Sequence, residues 1–188
     1  KADHGTVVVM ETKTGEIKAM ANLGRTDEGK YYEKRNYAIW ESQEPGSTYK
    51  LMTLVAALED KVVDSTDVFD SEGGKIKYYD RTVKDSRVGG YGEISVAKAF
   101  EVSSNTVFSR FITEGYKDNP KKLVNRLNYM GLNQKIGLEI KGEGIPTIPS
   151  PDDKNWYGTT LPWMSFGYGV TITPLQTLAF YNAIANDG

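Results

Sequence analysis

The 188-residue chain balances 23 Lys and Arg against 25 Asp and Glu, with 39% hydrophobic and 26% charged residues. A chain of this length fits one globular domain with a real core, and its formal net charge of -2 gives no electrostatic case for a nucleic-acid or membrane-surface partner. With no cysteine, disulfides, thiolate metal sites and cysteine nucleophiles are excluded.

Thr6 to Met10, rich in β-branched residues, predicts a buried strand, Thr14-Gly15 a turn, and the alternating Glu16 to Met20 a second strand, together an antiparallel hairpin. The single histidine, His4, lies just before it and reads as a solvated side chain. A Ser-His-Asp triad is therefore absent unless His4 supplies the base. Gly24 to Lys34 reads as a polar loop, and Pro45-Gly46 punctuates the approach to a helix from about Ser47 to Asp60. Within that helix Leu51, Leu54, Val55 and Leu58 fall at helical spacing and predict the core-facing stripe.

Asp64 to Gly92, with Gly73-Gly74 and Gly89-Gly90, reads as loops with weak strands. Ser95 starts a second helix with Val96, Ala99 and Phe100 on one face. A polar interruption at Ser103 to Thr106 follows, after which Val107, Phe108, Phe111 and Ile112 resume the pattern. Pro120 to Met130 predicts another helix closed by Gly131. Gly142 to Asp153, with three prolines, is a loop, and the last helix has Thr173 as N-cap and Pro174 at its first position, with Gly188 just past its final turn. No run is long and apolar enough for a transmembrane helix or a signal peptide, so any anchor of the natural protein is expected outside this chain.

Two stretches carry chemistry. In Glu44 to Lys50, EPGSTYK, Ser47 and Lys50 are three apart at a helix start and share a face. Ser47 precedes Leu51 by four residues and Lys50 precedes Leu54 by four, so both extend the apolar stripe toward the packed side. A serine hydroxyl becomes nucleophilic when a nearby base takes its proton, and a lysine is that base when desolvation favours its neutral form. The N–H groups of a helix N-terminus can stabilise negative charge on an attacked carbonyl. The plainer reading is that Ser47 is an ordinary N-cap and that Lys50 snorkels to water. The second stretch, Ser103-Ser104-Asn105, reads on its own as a turn between helices, because such side chains compete for backbone hydrogen bonds.

Taken together, S-x-x-K followed by S-x-N resembles the signature of penicillin-binding proteins and serine β-lactamases. The likeness extends to VVVMETKTGEIKAMANL, which is similar to the family's opening hairpin, and to RNYAIWESQEPGSTYK, which resembles the class B approach to the nucleophile. SFGYGVTITPLQTLAFYNAIANDG is similar to its Gly-rich segment and following helix. The resemblance covers most of the chain in the family's order and is nearest to the division-type synthases.

It implies an α/β (α+β) fold with helices packed on an antiparallel sheet, here incomplete, and a D,D-transpeptidase that cross-links cell-wall peptides. In that role Ser47 would attack a stem peptide ending in D-Ala-D-Ala, Lys50 would activate it, Ser103 would relay a proton to the leaving amine, and Asn105 would hold Lys50 and the substrate amide. β-Lactam antibiotics would acylate the same serine. Further partners would be other cell-wall synthesis proteins, the location would be the outer face of the cytoplasmic membrane, and no metal or organic cofactor is implied. Within the same signature, a class D-like serine β-lactamase and a non-catalytic β-lactam-sensing domain stand as alternatives.

The family's third motif, Lys-Ser/Thr-Gly, follows the second on a sheet strand. Lys13-Thr14-Gly15 matches the string but precedes both other motifs and falls on the hairpin turn, so it is read as a turn. The true third motif is expected after Gly188, which makes this chain the first portion of a transpeptidase domain, expected to be inactive alone. Its two-stranded hairpin is likewise expected to seek further strands.

Overall fold

The computed structural model describes residues 2–188, which form two compact units. One comprises residues 2–43, 132–147 and 171–188, and the other residues 44–131 and 148–170.

In the first unit, β1 (His4–Met10) and β2 (Ile17–Arg25) pair antiparallel, with Val8 opposite Met20. The turn between them closes through Gly15 N–H to the Glu11 carbonyl, with Gly15 at φ +72°, a conformation that glycine adopts without a Cβ penalty. A third strand, β3 (Tyr31–Tyr32), adds to β2 in the segment expected to be loop. It pairs with the end of β2 at Gly24 and Arg25, so that β2 is the middle strand and β1 and β3 are the outer ones.

The expectation of a buried first strand is also corrected. Val7 and Val9 are 66% and 50% exposed, while Val8 and Met10 pack toward Ala38, Ile39 and Leu175. Successive side chains of a strand point to opposite faces, so a valine run is buried twice over only if both faces are covered. His4 is not simply solvated either: its Nε2 lies 2.8 Å from Glu41 Oε2, and its ring stacks on Tyr37 at 4.3 Å. Ala38 and Ile39 sit on the short helix α1 (Tyr37–Trp40).

The second unit is mainly helical. Gly46–Tyr49 forms a 3-10 turn that runs into α2 (Lys50–Glu59). The region read as weak strands resolves into two ribbons. In one, β4 (Val68–Asp70) pairs with β7 (Glu93–Ser95), and in the other β5 (Lys75–Tyr78) pairs with β6 (Arg81–Lys84). The helices α3 (Val96–Glu101) and α4 (Asn105–Tyr116) flank the predicted break, and α5 (Pro120–Tyr129) is followed by Gly131 at φ +78°. A short helix missed in the sequence, α6 (Thr160–Met164), packs on α4. Helix α4 is the centre of the unit: Val107, Phe108, Phe111 and Ile112 are all buried, with Phe108 and Phe111 rings 4.9 Å apart. The closing helix α7 (Pro174–Ala185) belongs to the first unit and starts with a complete capping box between Thr173 and Gln176.

The buried face of α2 differs from the one expected. Lys50, Met52, Thr53, Ala56 and Ala57 are buried, whereas Leu51, Leu54 and Val55 are half-buried and Leu58 is 37% exposed. Both faces of this helix are apolar, so hydrophobicity alone does not choose between them. Helix α2 packs on α4 and α5, and the buried face carries Thr53, Ala56 and Ala57, small side chains that allow closer approach of helix axes.

Candidate active site

The site is built entirely within the second unit. Ser47 lies in the 3-10 turn and is exposed, and neither that turn nor α2 has a side-chain cap at its start. The N-cap reading of Ser47 is therefore set aside. Its carbonyl accepts the backbone N–H of Lys50. The turn is held from outside: Gly46 N–H donates to the Gly167 carbonyl at 3.1 Å, and Gly169 N–H donates to Glu44 Oε1 at 2.8 Å. Gly167 has φ +87°, and a Cβ there would collide with the Gly46 backbone, so only glycine allows the two chains to meet this closely. Thr53 Oγ1 donates to the Ser165 carbonyl at 2.9 Å, joining the same segment to α2.

Lys50 does not snorkel. Its side chain is 1% exposed, and Nζ donates to the Ser103 carbonyl at 2.6 Å, Ser103 Oγ at 2.9 Å and Asn105 Oδ1 at 2.7 Å. Three acceptors match the three donors of an ammonium, and the Phe108 ring lies 5.4 Å away. Burial pushes the Lys50 pKa down to about 8, opposed by the negative charge of Asp85. A fully buried lysine without such acceptors would fall further.

Ser103 and Asn105 reach Lys50 because the chain turns sharply between α3 and α4. Ser103 has φ +57°, left-handed backbone that costs a non-glycine residue roughly 1–2 kcal/mol. Ser104 is the N-cap of α4: its side chain accepts the Val107 N–H at 3.2 Å. Of the two serines that could be read by eye, Ser103 thus faces the lysine and Ser104 serves the helix. Asn105 Nδ2 donates to the Lys84 carbonyl at 2.8 Å, which turns its Oδ1 toward Lys50.

The structure therefore brings Lys50, Ser103 and Asn105 into direct contact, with exposed Ser47 one turn before the lysine. It also shows residues that the sequence reading passed over. Lys84 ends β6 and Asp85 follows it, in the segment read as loops with weak strands, and their partners lie about twenty positions away, where no local pattern announces them. Lys13-Thr14-Gly15 belongs to the other unit, exposed at the hairpin turn, with Thr14 Oγ1 donating to Glu11 at 2.6 Å.

Residues 5–188 match the family model described as the penicillin binding protein transpeptidase domain. The chain is 30% identical over its whole length to the peptidoglycan D,D-transpeptidase FtsI of Escherichia coli and 31% identical to the probable peptidoglycan D,D-transpeptidase PenA of Neisseria flavescens. It spans 31% and 46% of those proteins' lengths. Among solved structures, the apo transpeptidase domain of Burkholderia pseudomallei penicillin-binding protein 3 superimposes with a TM-score of 0.81 at 24% identity, covering 98% of this chain and 50% of that one. That likeness bears out the expected α/β fold of helices with antiparallel strands.

Proposed function

The chain belongs to the penicillin-binding protein transpeptidase family, class B, and from that premise we propose that it carries the acyl-accepting serine of a peptidoglycan D,D-transpeptidase. The observation that supports the reading most directly is Lys50: a buried lysine, one turn after an exposed serine, whose Nζ contacts both Ser103 Oγ and Asn105 Oδ1.

In the forward step, neutral Lys50 takes the proton of Ser47 Oγ as that oxygen attacks the carbonyl of the penultimate D-Ala of a stem peptide. The peptide C–N bond breaks, and the proton passes by way of Ser103 to the departing amino group of the terminal D-Ala. An amine of a neighbouring strand then attacks the acyl-enzyme, loses its proton along the same route, and restores Ser47. Asn105, fixed by the Lys84 carbonyl, holds the lysine and meets the substrate amide. β-Lactams take the stem peptide's place. No helix among the described residues is long and apolar enough to cross a membrane, and the proposed location is the outer face of the cytoplasmic membrane, held by an anchor elsewhere in the polypeptide.

The test is intact-mass spectrometry of the full-length protein after exposure to benzylpenicillin. One stable adduct, mapped to Ser47 and lost in Ser47→Ala, is expected. An adduct that survives in Ser47→Ala overturns the assignment, and rapid turnover of a chromogenic cephalosporin would favour a hydrolytic β-lactamase instead.

A further inference from the structure

Ser103 and Asn105 act on Lys50 only if the turn that presents them is held, and the residue that holds it is Asp85. This half-buried carboxylate follows directly on β6, and its own backbone N–H is fixed to the Gly74 carbonyl at 3.0 Å. Its oxygens receive Ser104 Oγ at 3.1 Å, Thr106 N–H at 3.0 Å and Thr106 Oγ1 at 2.8 Å. Both hydroxyl residues are fully buried. Asp85 thus caps the first turn of α4 from outside the helix, where a carboxylate also complements the positive end of the helix dipole. The capped residues alternate with the functional ones: Asp85 grips Ser104 and Thr106, while Ser103 and Asn105 reach Lys50. The preceding residue, Lys84, holds the Asn105 amide.

We propose, on the reading of Ser47 and Lys50 given above, that Asp85 is a positioning residue for acylation, pinning the Ser103-Asn105 turn in the left-handed geometry from which both residues grip Lys50. It touches no substrate in this account. Beyond geometry, the carboxylate of Asp85 opposes the effect of burial on Lys50, and the groups in hydrogen-bond contact with Nζ are neutral. Loss of its charge would make the lysine easier to deprotonate, while loss of its hydrogen bonds would slacken the turn. The two effects separate in two variants.

The experiment measures the second-order rate constant of acylation by a fluorescent penicillin between pH 6 and 9. It compares the full-length wild type with Asp85→Asn and Asp85→Ala, with folded fraction followed by circular dichroism. Asp85→Asn, which can still accept from Thr106 N–H, is expected to stay within about threefold of the wild-type plateau, with its acid limb displaced to lower pH. Asp85→Ala is expected to lose about tenfold or more at the plateau while remaining folded. Wild-type rates and an unmoved limb in both variants would overturn the proposal. So would losses that only follow the unfolded fraction, with the limb unmoved. A wild type that takes no label at Ser47 defeats the functional reading itself, a result distinct from either.

Discussion

Two short polar turns in this chain, Lys13-Thr14-Gly15 and Ser103-Ser104-Asn105, both match pieces of one family signature and look alike on paper. The first is exposed and held by its own neighbours, Glu11 and Glu16. The second is held by residues far away in sequence: Lys50 from one helix, and Lys84 and Asp85 from the end of a strand. A lysine accompanies each, yet Lys13 is exposed, whereas Lys50 is 1% exposed with three hydrogen-bond acceptors. The contrast shows that chemistry comes from desolvation and non-local partners, because these shift a pKa and fix a donor's direction, and a motif string alone does neither.

The widest separation between the two lysines is expected from truncation. In the full-length protein Lys50→Ala should slow penicillin acylation by about 10²–10⁴-fold, the usual worth of a positioned base. It should also destabilise the fold by about 1–3 kcal/mol, because the part-buried acceptors on Ser103 and Asn105 lose their donor. Stopped-flow acylation and urea denaturation read the two effects. An unaffected acylation rate would remove Lys50 from the mechanism.

A smaller effect is expected from pH. The folded pKa of Lys50 is lowered from its ordinary 10.5 to about 8, so the neutral form grows as pH rises through about 8. The acylation rate should therefore climb about tenfold per pH unit below that value and level off above it. At pH 7 about a tenth of Lys50 would be neutral, compared with well under a thousandth of an exposed lysine. A rate that is flat between pH 6 and 9 would erase the distinction between the two lysines.

The least effect is expected at the hairpin turn. Lys13→Ala and Thr14→Ala should each change stability by no more than about 0.5 kcal/mol and leave penicillin labelling at the wild-type level, as for other exposed sites. Loss of labelling in either variant, with the protein still folded, would make that string the third motif after all.

Much of this architecture could be read from the chain. The opening hairpin, the helices around the break at Ser103 to Thr106, Gly131 as the stop of α5 and the Thr173-Pro174 start of α7 all follow from local rules, because alternation, caps and glycine conformations act over a few residues. The spacing of Ser47 and Lys50 is local in the same sense. What the tertiary structure decided is everything that depends on which face is covered and by what. Val7 and Val9 face outward although they are valines, and α2 buries Met52, Thr53 and Ala56 in preference to its leucines, since packing selects shape as well as hydrophobicity. Asp85 and Lys84 acquire their roles only once β6 is laid against the start of α4, bringing together groups about twenty residues apart. No one-dimensional pattern encodes that meeting, because hydrogen-bond partners are chosen by distance in space and not along the chain.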